Sequence, residues 1–187
     1  MNIMHILIFL KSFLFKQIPH SSELVFVDSS SNMEELNLRV FLVCTHSVVG
    51  ALPLGVVITS DESEETLDDA FNHLKFCMGV DAFYSNGYPT VIMTDNCDEL
   101  RDSLHTVWPN AKLLLCIFHI LQQVSRWLHE KKHDVRLEDR PHLFSLIKAM
   151  LYAKDDEELN KRINLMRQDE IINCYGEDNG INVVMGE

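Results

Sequence analysis

Two short apolar runs end in aspartate: Leu24-Val25-Phe26-Val27-Asp28, and later Thr90-Val91-Ile92-Met93-Thr94-Asp95. Apolar runs of this length, rich in β-branched residues, predict buried strands. A third apolar passage, Leu113-Leu114-Leu115-Cys116-Ile117-Phe118-His119, follows the second run closely. Carboxylates at the ends of neighbouring buried strands can share a divalent cation, so the pair indicates phosphodiester chemistry. The alternative is that Asp28 and Asp95 each begin a turn, as aspartate often does after a strand.

Composition limits the class of protein. The 187 residues are 47% hydrophobic with only 7 Gly and 5 Pro, which predicts one domain or most of a larger one. A formal charge of −12 argues against a free-standing nucleic-acid binder, because affinity for phosphate depends on Lys and Arg. Contact with DNA would therefore need a local basic patch or other chains. The five scattered cysteines suit reduced thiols, so we expect a nuclear or cytoplasmic protein.

The amino-terminal residues 1–23 form a poorly defined segment. Residues 4–10 are apolar like the core of a signal peptide, but no Lys or Arg precedes them and no small-residue cleavage site follows. The run is also shorter than the ~20 residues that a membrane span needs. We expect an element packed on the domain or a frayed beginning, and no membrane association.

The order of elements predicts the fold. A turn rich in Ser and Asn is expected over residues 29–33, and Ser63 begins a capped amphipathic helix. Strands are predicted over residues 24–28, 38–45, 54–59, 90–94 and 112–116, and further helices over residues 98–108, 120–130, 141–153 and 155–167. This is the order of an α/β, RNase H-like mixed sheet with flanking helices and a C-terminal helical segment. In that topology the ends of the first and fourth strands lie side by side. Residues 168–187 are predicted to be an irregular tail.

Other chemical groups leave alternatives open. Cys116 and His119 form a C-x-x-H pair, and both types of side chain bind zinc, but a structural zinc site needs four ligands. The alternative is that Cys116 is a buried strand residue and that His119 begins a helix. A third possibility is that His119 forms hydrogen bonds beside a metal cleft. Acidic clusters at residues 61–65 and 155–158 match helix amino-termini, where negative charge is favourable.

One stretch is basic. It contains five cations, which either contact a phosphate backbone or form the solvent face of a helix. They are Arg126, Lys131, Lys132, Arg136 and Arg140.

These motifs together resemble the MULE (Mutator-like element) transposase domain, an RNase H-like family of DDE transposases. The resemblance covers residues 24–165. It rests on motifs that recur in family order: Val25-Phe26-Val27-Asp28-Ser29-Ser30, Leu52-Pro53-Leu54-Gly55-Val56, Gly87-Tyr88-Pro89, Met93-Thr94-Asp95, Trp108-Pro109 and Leu114-Leu115-Cys116-Ile117-Phe118-His119. It implies a MULE transposase-like domain over residues 24–167 that acts in DNA transposition and recombination. It also implies Mg²⁺ as cofactor, with DNA and other transposase chains as partners.

The resemblance also assigns residues. Asp28 and Asp95 match the first and second catalytic, metal-binding acids, and Cys116 and His119 match the family's C-x-x-H motif. The third acid, a Glu that usually follows an Asn-Asn pair, has no counterpart. Glu157, Glu158 or Glu170 could substitute for it, although none of them lies in the family context. We expect an incomplete domain with little or no strand transfer. The alternatives are a domesticated protein- or DNA-binding module without catalysis, and a gene-model fragment.

Overall fold

The computed structural model describes residues 6–8, 24–30, 38–48 and 50–176, with the backbone alone for residues 6–8. Its strands are β1 (Ile6–Ile8), β2 (Leu24–Ser30), β3 (Arg39–Ser47), β4 (Gly50–Thr59), β5 (Val91–Thr94) and β6 (Lys112–Leu115). Its helices are α1 (Glu64–Met78), α2 (Ala82–Ser85), α3 (Asp98–Val107), α4 (Ile117–His129), a 3-10 turn (Lys131–His133), α5 (Arg140–Leu151), α6 (Asp156–Arg167) and α7 (Glu170–Gly176).

The strands form one mixed sheet in the order β1-β4-β3-β2-β5-β6. The pairs β1–β4, β4–β3 and β3–β2 are antiparallel, whereas β2–β5 and β5–β6 are parallel. The α3 helix connects β5 to β6, as parallel strands require. The α/β RNase H-like sheet predicted from the sequence is thus confirmed. Pro53 lies where the β3–β4 register shifts, a bulge being one of the few places where proline fits inside a sheet.

One face of the sheet is packed against α1 and α3. Alternate strand residues such as Val25, Val27 and Val43 are fully buried there with Ile92. At the centre of this core, Phe71 meets the ring of Phe41 edge-on at 6.0 Å and that of Trp108 at 6.4 Å. Aromatic pairs in this orientation add stability beyond the area that they bury. The core therefore fixes β2 and β5, the strands that lead to Asp28 and Asp95.

Local signals set the ends of α1. The Ser63 hydroxyl accepts a hydrogen bond from the Thr66 N–H, which satisfies one of the helix's unpaired donors. Asp61 in turn accepts from the Ser63 N–H and hydroxyl, and these bonds lower its pKa to about 2. At the other end, Gly79 adopts a φ of 79°, a conformation that glycine takes without strain. The predicted capped helix is confirmed.

The structure differs from the sequence expectations after Asp28 and in the C-terminal tail, and it describes little of residues 1–23. The turn predicted to start at Ser29 is wrong for Ser29 and Ser30, because both continue β2 in register with Phe41 and Val40 of β3, while residues 31–33 lie outside the described residues. The predicted irregular tail, residues 168–187, instead forms α7 over Glu170–Gly176, and residues 177–187 lie outside the described part. Of residues 1–23, only β1 is described, paired with β4.

The chain divides into two compact units, residues 1–116 and 117–187. The boundary falls inside the predicted range 24–167, whose extent as one domain stays a prediction. The second unit is helical and has its own core, to which Val124, Leu128, Leu143 and Met166 contribute. α7 belongs to it because its Ile172 and Tyr175 side chains are buried in that core. No helix in the described residues has the length and apolar character of a membrane span.

Candidate metal-binding edge of the sheet

Asp28 lies inside β2 and is exposed. Its partner on β3 is Leu42, and the strand continues for two residues beyond it. The interpretation that Asp28 begins a turn is therefore wrong. Because strand side chains alternate, Asp28 shares a face with Phe26, opposite the face on which Val25 and Val27 are buried.

Asp95 immediately follows β5 and is half-buried. Its Oδ1 accepts a hydrogen bond from the Cys97 N–H at 3.3 Å, so the carboxylate shapes the passage into α3. The interpretation that an aspartate here begins a turn is therefore right for Asp95. The same bond restricts the orientation of the carboxylate, which is also what a metal ligand needs.

The parallel register brings the ends of three strands to one edge. Phe26 of β2 is level with Met93 of β5, so continuing this register by two residues makes the backbones of Asp28 and Asp95 level. On the other side of β5, the Cys116 N–H donates to the Thr94 carbonyl at 2.8 Å. Cys116 therefore lies beside Asp95 at the same edge.

Ser29 links the first two of these strand ends. Its hydroxyl donates to Asp95 Oδ2 at 3.1 Å, so the residue next to Asp28 holds the second aspartate. Successive strand side chains leave opposite faces, and Ser29 therefore approaches Asp95 from the face opposite to that of Asp28. Since Asp95 follows the last residue of β5, the pleat does not fix its direction. A cation shared by both carboxylates would lie at the very edge of the sheet.

Sequence reasoning missed the role of Ser29, because Asp-Ser-Ser after an apolar run was interpreted as a turn. The sequence signal that could have indicated this role is the position of Ser29 directly after Asp28.

Burial raises the pKa values of two thiols that lie near the aspartates. The pKa of Cys44 on β3 is raised, first by burial and then by the negative charge of Asp28. The pKa of Cys97 is also raised, mainly by burial, with smaller contributions from Glu99 and Asp95. All five cysteines are free, and their distribution between buried and exposed positions gives no disulfide framework.

The chemistry of the edge fits one hard cation. Carboxylate oxygens are the ligands that Mg²⁺ prefers, and protein sites often supply only one or two of them, with water and substrate phosphates completing the shell. A second cation would require further carboxylates. Within the described residues, no group of three or more His, Cys, Asp or Glu is arranged to hold a metal ion.

The remaining candidates are distributed over the two units. Cys116 ends the first unit, whereas His119 lies in α4 of the second, where its ring contacts that of Phe118 at 5.5 Å. Their joint binding of zinc stays a prediction.

Among the acids suggested as replacements for the third carboxylate, Glu158 forms an ion pair with Arg162. Glu157 and Glu170 are exposed in the first turns of α6 and α7.

The acidic clusters act as helix caps. Asp155 accepts from the Glu158 N–H at 2.8 Å, as Ser63 does for Thr66 in the first unit. Their interpretation as helix-start residues is confirmed.

Comparison with known proteins decides the family. The model of the MULE transposase domain matches residues 24–123, just over half of the chain. The chain belongs to the MULE transposase domain family. The match includes β2 to β6 and with them Asp28, Asp95, Cys116 and His119. The function of this MULE domain is therefore derived from a transposase, and the family in general uses divalent metal and acts on DNA.

One curated protein matches this chain over only a small share of its own length. A PKS-NRPS hybrid synthetase, cheA, of Chaetomium globosum is 28% identical over 102 residues, which are 52% of this chain and 2% of that protein. This chain thus spans a very small part of that relative's length, and the synthetase name describes the relative alone.

Proposed function

We propose that this MULE domain is a DDE-type transposase domain for metal-dependent cleavage and transfer of DNA strands, with an incomplete set of catalytic acids. Asp28 and Asp95 are the two metal ligands, and Mg²⁺ is the cation. The observation that carries the proposal is the parallel register of β2 and β5, which brings both aspartates to one edge of the sheet.

Each residue at the edge has a defined task in this proposal. Asp28 and Asp95 offer carboxylate oxygens from neighbouring strands. Ser29 and the Cys97 N–H hold the Asp95 carboxylate by hydrogen bonds to its two different oxygens. When bound, Mg²⁺ would supply a Lewis acid that polarises the phosphodiester and favours a deprotonated attacking oxygen. The nucleophile is water in the first cut and a DNA 3′-hydroxyl in strand transfer.

Electrostatics supports the need for a cation at this edge. The first unit, residues 1–116, carries 15 of the 28 acids but only 6 of the 16 lysines and arginines. DNA phosphate is repelled by such a surface unless a bound cation neutralises it. The sheet edge therefore acts on DNA only when a metal ion is bound. The proposed partners are DNA and other transposase chains, and the proposed location is the nucleus or the cytoplasm.

The test is divalent-dependent nicking, by the whole chain, of supercoiled DNA or of an end-labelled linear duplex. Nicking is expected with Mg²⁺ or Mn²⁺, none with EDTA, and a loss of more than tenfold in Asp28→Asn and in Asp95→Asn. Asp98→Asn is the matched control, since Asp98 is exposed in the first turn of α3 and lies three residues beyond Asp95. Nicking that survives both site substitutions would refute the assignment.

A second candidate is a domesticated module that binds DNA or protein without cutting. It is favoured by the lack of a three-ligand metal group in the described residues. It predicts equal binding with EDTA and with Mg²⁺, no nicking in either, and no effect of Asp28→Asn on binding. The catalytic proposal predicts instead that the cation strengthens binding and that this gain disappears in Asp28→Asn.

A further inference from the structure

The solvent face of α4 carries hydrogen-bond donors and no acid. Residues 103–129 contain no Asp or Glu, although the chain has 28 of them. Val124 and Leu128 bury the other side of the helix in the core of the second unit. The exposed side chains of α4 are Phe118, Gln123, Arg126 and His129. In a chain of formal charge −12, the exposed side chains of α4 carry no negative charge that would repel an anion.

The turn that follows extends this face. Lys131 and Lys132 are exposed in the 3-10 turn directly after α4. The His133 ring of this turn stacks on Trp127 of α4, with centroids 4.1 Å apart and planes 25° apart. The stack ties the turn to the helix. Arg126, near the end of α4, and Lys131 and Lys132, in the attached turn, are all exposed, and we name these three residues the α4 cationic patch.

The other two cations of the basic stretch have partners within the second unit. Arg136 binds Asp139 at 2.8 Å, and the Arg140 Nε donates to the Val135 carbonyl at 3.1 Å. Neither Arg126 nor Lys131 forms an ion pair within the part of the chain that the structure describes.

Lys132 pairs with Glu130 at 2.6 Å, yet 71% of its side chain is exposed. Solvent screens an exposed ion pair and makes it weak, so Lys132 can exchange Glu130 for a phosphate oxygen.

We propose that the α4 cationic patch binds the phosphate backbone of DNA. Arg, Lys and Gln side chains are the groups that make such contacts, and they fix position without reading sequence. The inference rests on the proposed action on DNA but uses a surface of the second unit, distinct from the two aspartates. The competing explanation is that cations at the end of α4 only offset its dipole. That explanation predicts a change in stability and no change in DNA affinity.

The experiment measures binding of the whole chain to a fluorescein-labelled 20-base-pair duplex by anisotropy, in EDTA, over a series of NaCl concentrations. The test variant is Arg126→Gln/Lys131→Gln/Lys132→Gln. The matched control is Lys154→Gln/Lys161→Gln/Arg167→Gln, which removes the same charge from exposed positions of the same unit. Glu130→Gln is a third variant, which removes the acid that pairs with Lys132.

The patch variant is expected to lose about tenfold in affinity near 0.1 M salt and to flatten the slope of log K against log[salt] by about 3, roughly 0.9 per phosphate contact. The control is expected to stay within about twofold, and Glu130→Gln to bind more tightly at low salt. Equal losses in patch variant and control, or no DNA binding by the unmodified chain, would overturn the inference. Because EDTA removes divalent cations from this assay, failure of Asp28 and Asp95 as metal ligands leaves this result unaffected.

Discussion

Replacing Ser29 with alanine removes a side-chain hydrogen bond that the structure places between β2 and Asp95. The bond is 3.1 Å long and joins a hydroxyl to a carboxylate, both half-buried. Hydrogen bonds to charged groups contribute roughly 1.5–3 kcal/mol when buried, and partial exposure reduces this to about 1 kcal/mol. Ser29→Ala is therefore expected to lower the free energy of unfolding of the first unit by about 1 kcal/mol.

Urea unfolding followed by tryptophan fluorescence measures this loss. The chain has 2 tryptophans, so a Trp127→Phe background leaves the buried Trp108 to report on the first unit alone. With a slope near 2 kcal/mol/M, the midpoint should fall by about 0.5 M. Ser30→Ala is the control, because Ser30 is the next residue of β2 and is exposed.

The same pair of variants tests the role of Ser29 in metal binding. Loss of a group that orients a ligand typically costs 10–100-fold in metal affinity. The Mg²⁺ concentration that gives half of the maximal thermal stabilisation should rise about tenfold in Ser29→Ala and stay unchanged in Ser30→Ala. Equal midpoints and equal Mg²⁺ responses for the two variants would refute the view that Ser29 holds Asp95.

Three further predictions follow from the fold of the first unit. Phe71→Ala removes the ring between Phe41 and Trp108 and should cost about 3–5 kcal/mol by urea unfolding, whereas truncation of the exposed Phe76 should cost under about 1 kcal/mol. Gly55→Ala brings a Cβ within 2.9 Å of the buried Leu74 Cδ1 and should cost about 1–3 kcal/mol; an unchanged melting temperature would contradict this packing. The pKa of Asp61 is lowered from 3.8 to about 2, so its stabilisation is complete above pH 4 and is lost as the pH falls towards 2. Asp61→Asn should therefore be less stable at pH 6 and lose less stability between pH 4 and 2, as thermal melts over that range would show.

Much of the fold was predictable because its signals are local. Apolar runs gave the strands, Ser63 and Asp155 gave helix starts, and the order of elements gave the mixed sheet. The continuation of β2 through Ser29 and Ser30 was not predictable, because it depends on pairing with β3, and serine favours turns when considered alone. α7 was missed for a similar reason: it depends on burial of Ile172 and Tyr175 in a core made by distant residues.

The candidate site was predictable in part. The two aspartates and their place at one sheet edge followed from the pattern of strands. The direction of each side chain did not, since Asp28 lies within a pleated strand while Asp95 follows one and is held by Ser29 and Cys97. The partners of the basic stretch were not predictable either, because Arg136 and Asp139 share a third partner that is distant in sequence. The Tyr175 hydroxyl accepts from the Arg136 Nε and donates to Asp139 Oδ2.

Cation-directed backbone scission tests the central claim, that one divalent cation binds between Asp28 and Asp95. With Fe²⁺ in place of Mg²⁺, ascorbate and peroxide generate radicals at the bound ion, which cut the nearest backbone. We expect cuts near both residues 28 and 95, suppressed by excess Mg²⁺ and lost together at both places in either Asp28→Asn or Asp95→Asn. Cuts near only one aspartate, or cuts near residue 95 that persist in Asp28→Asn, would contradict a shared cation.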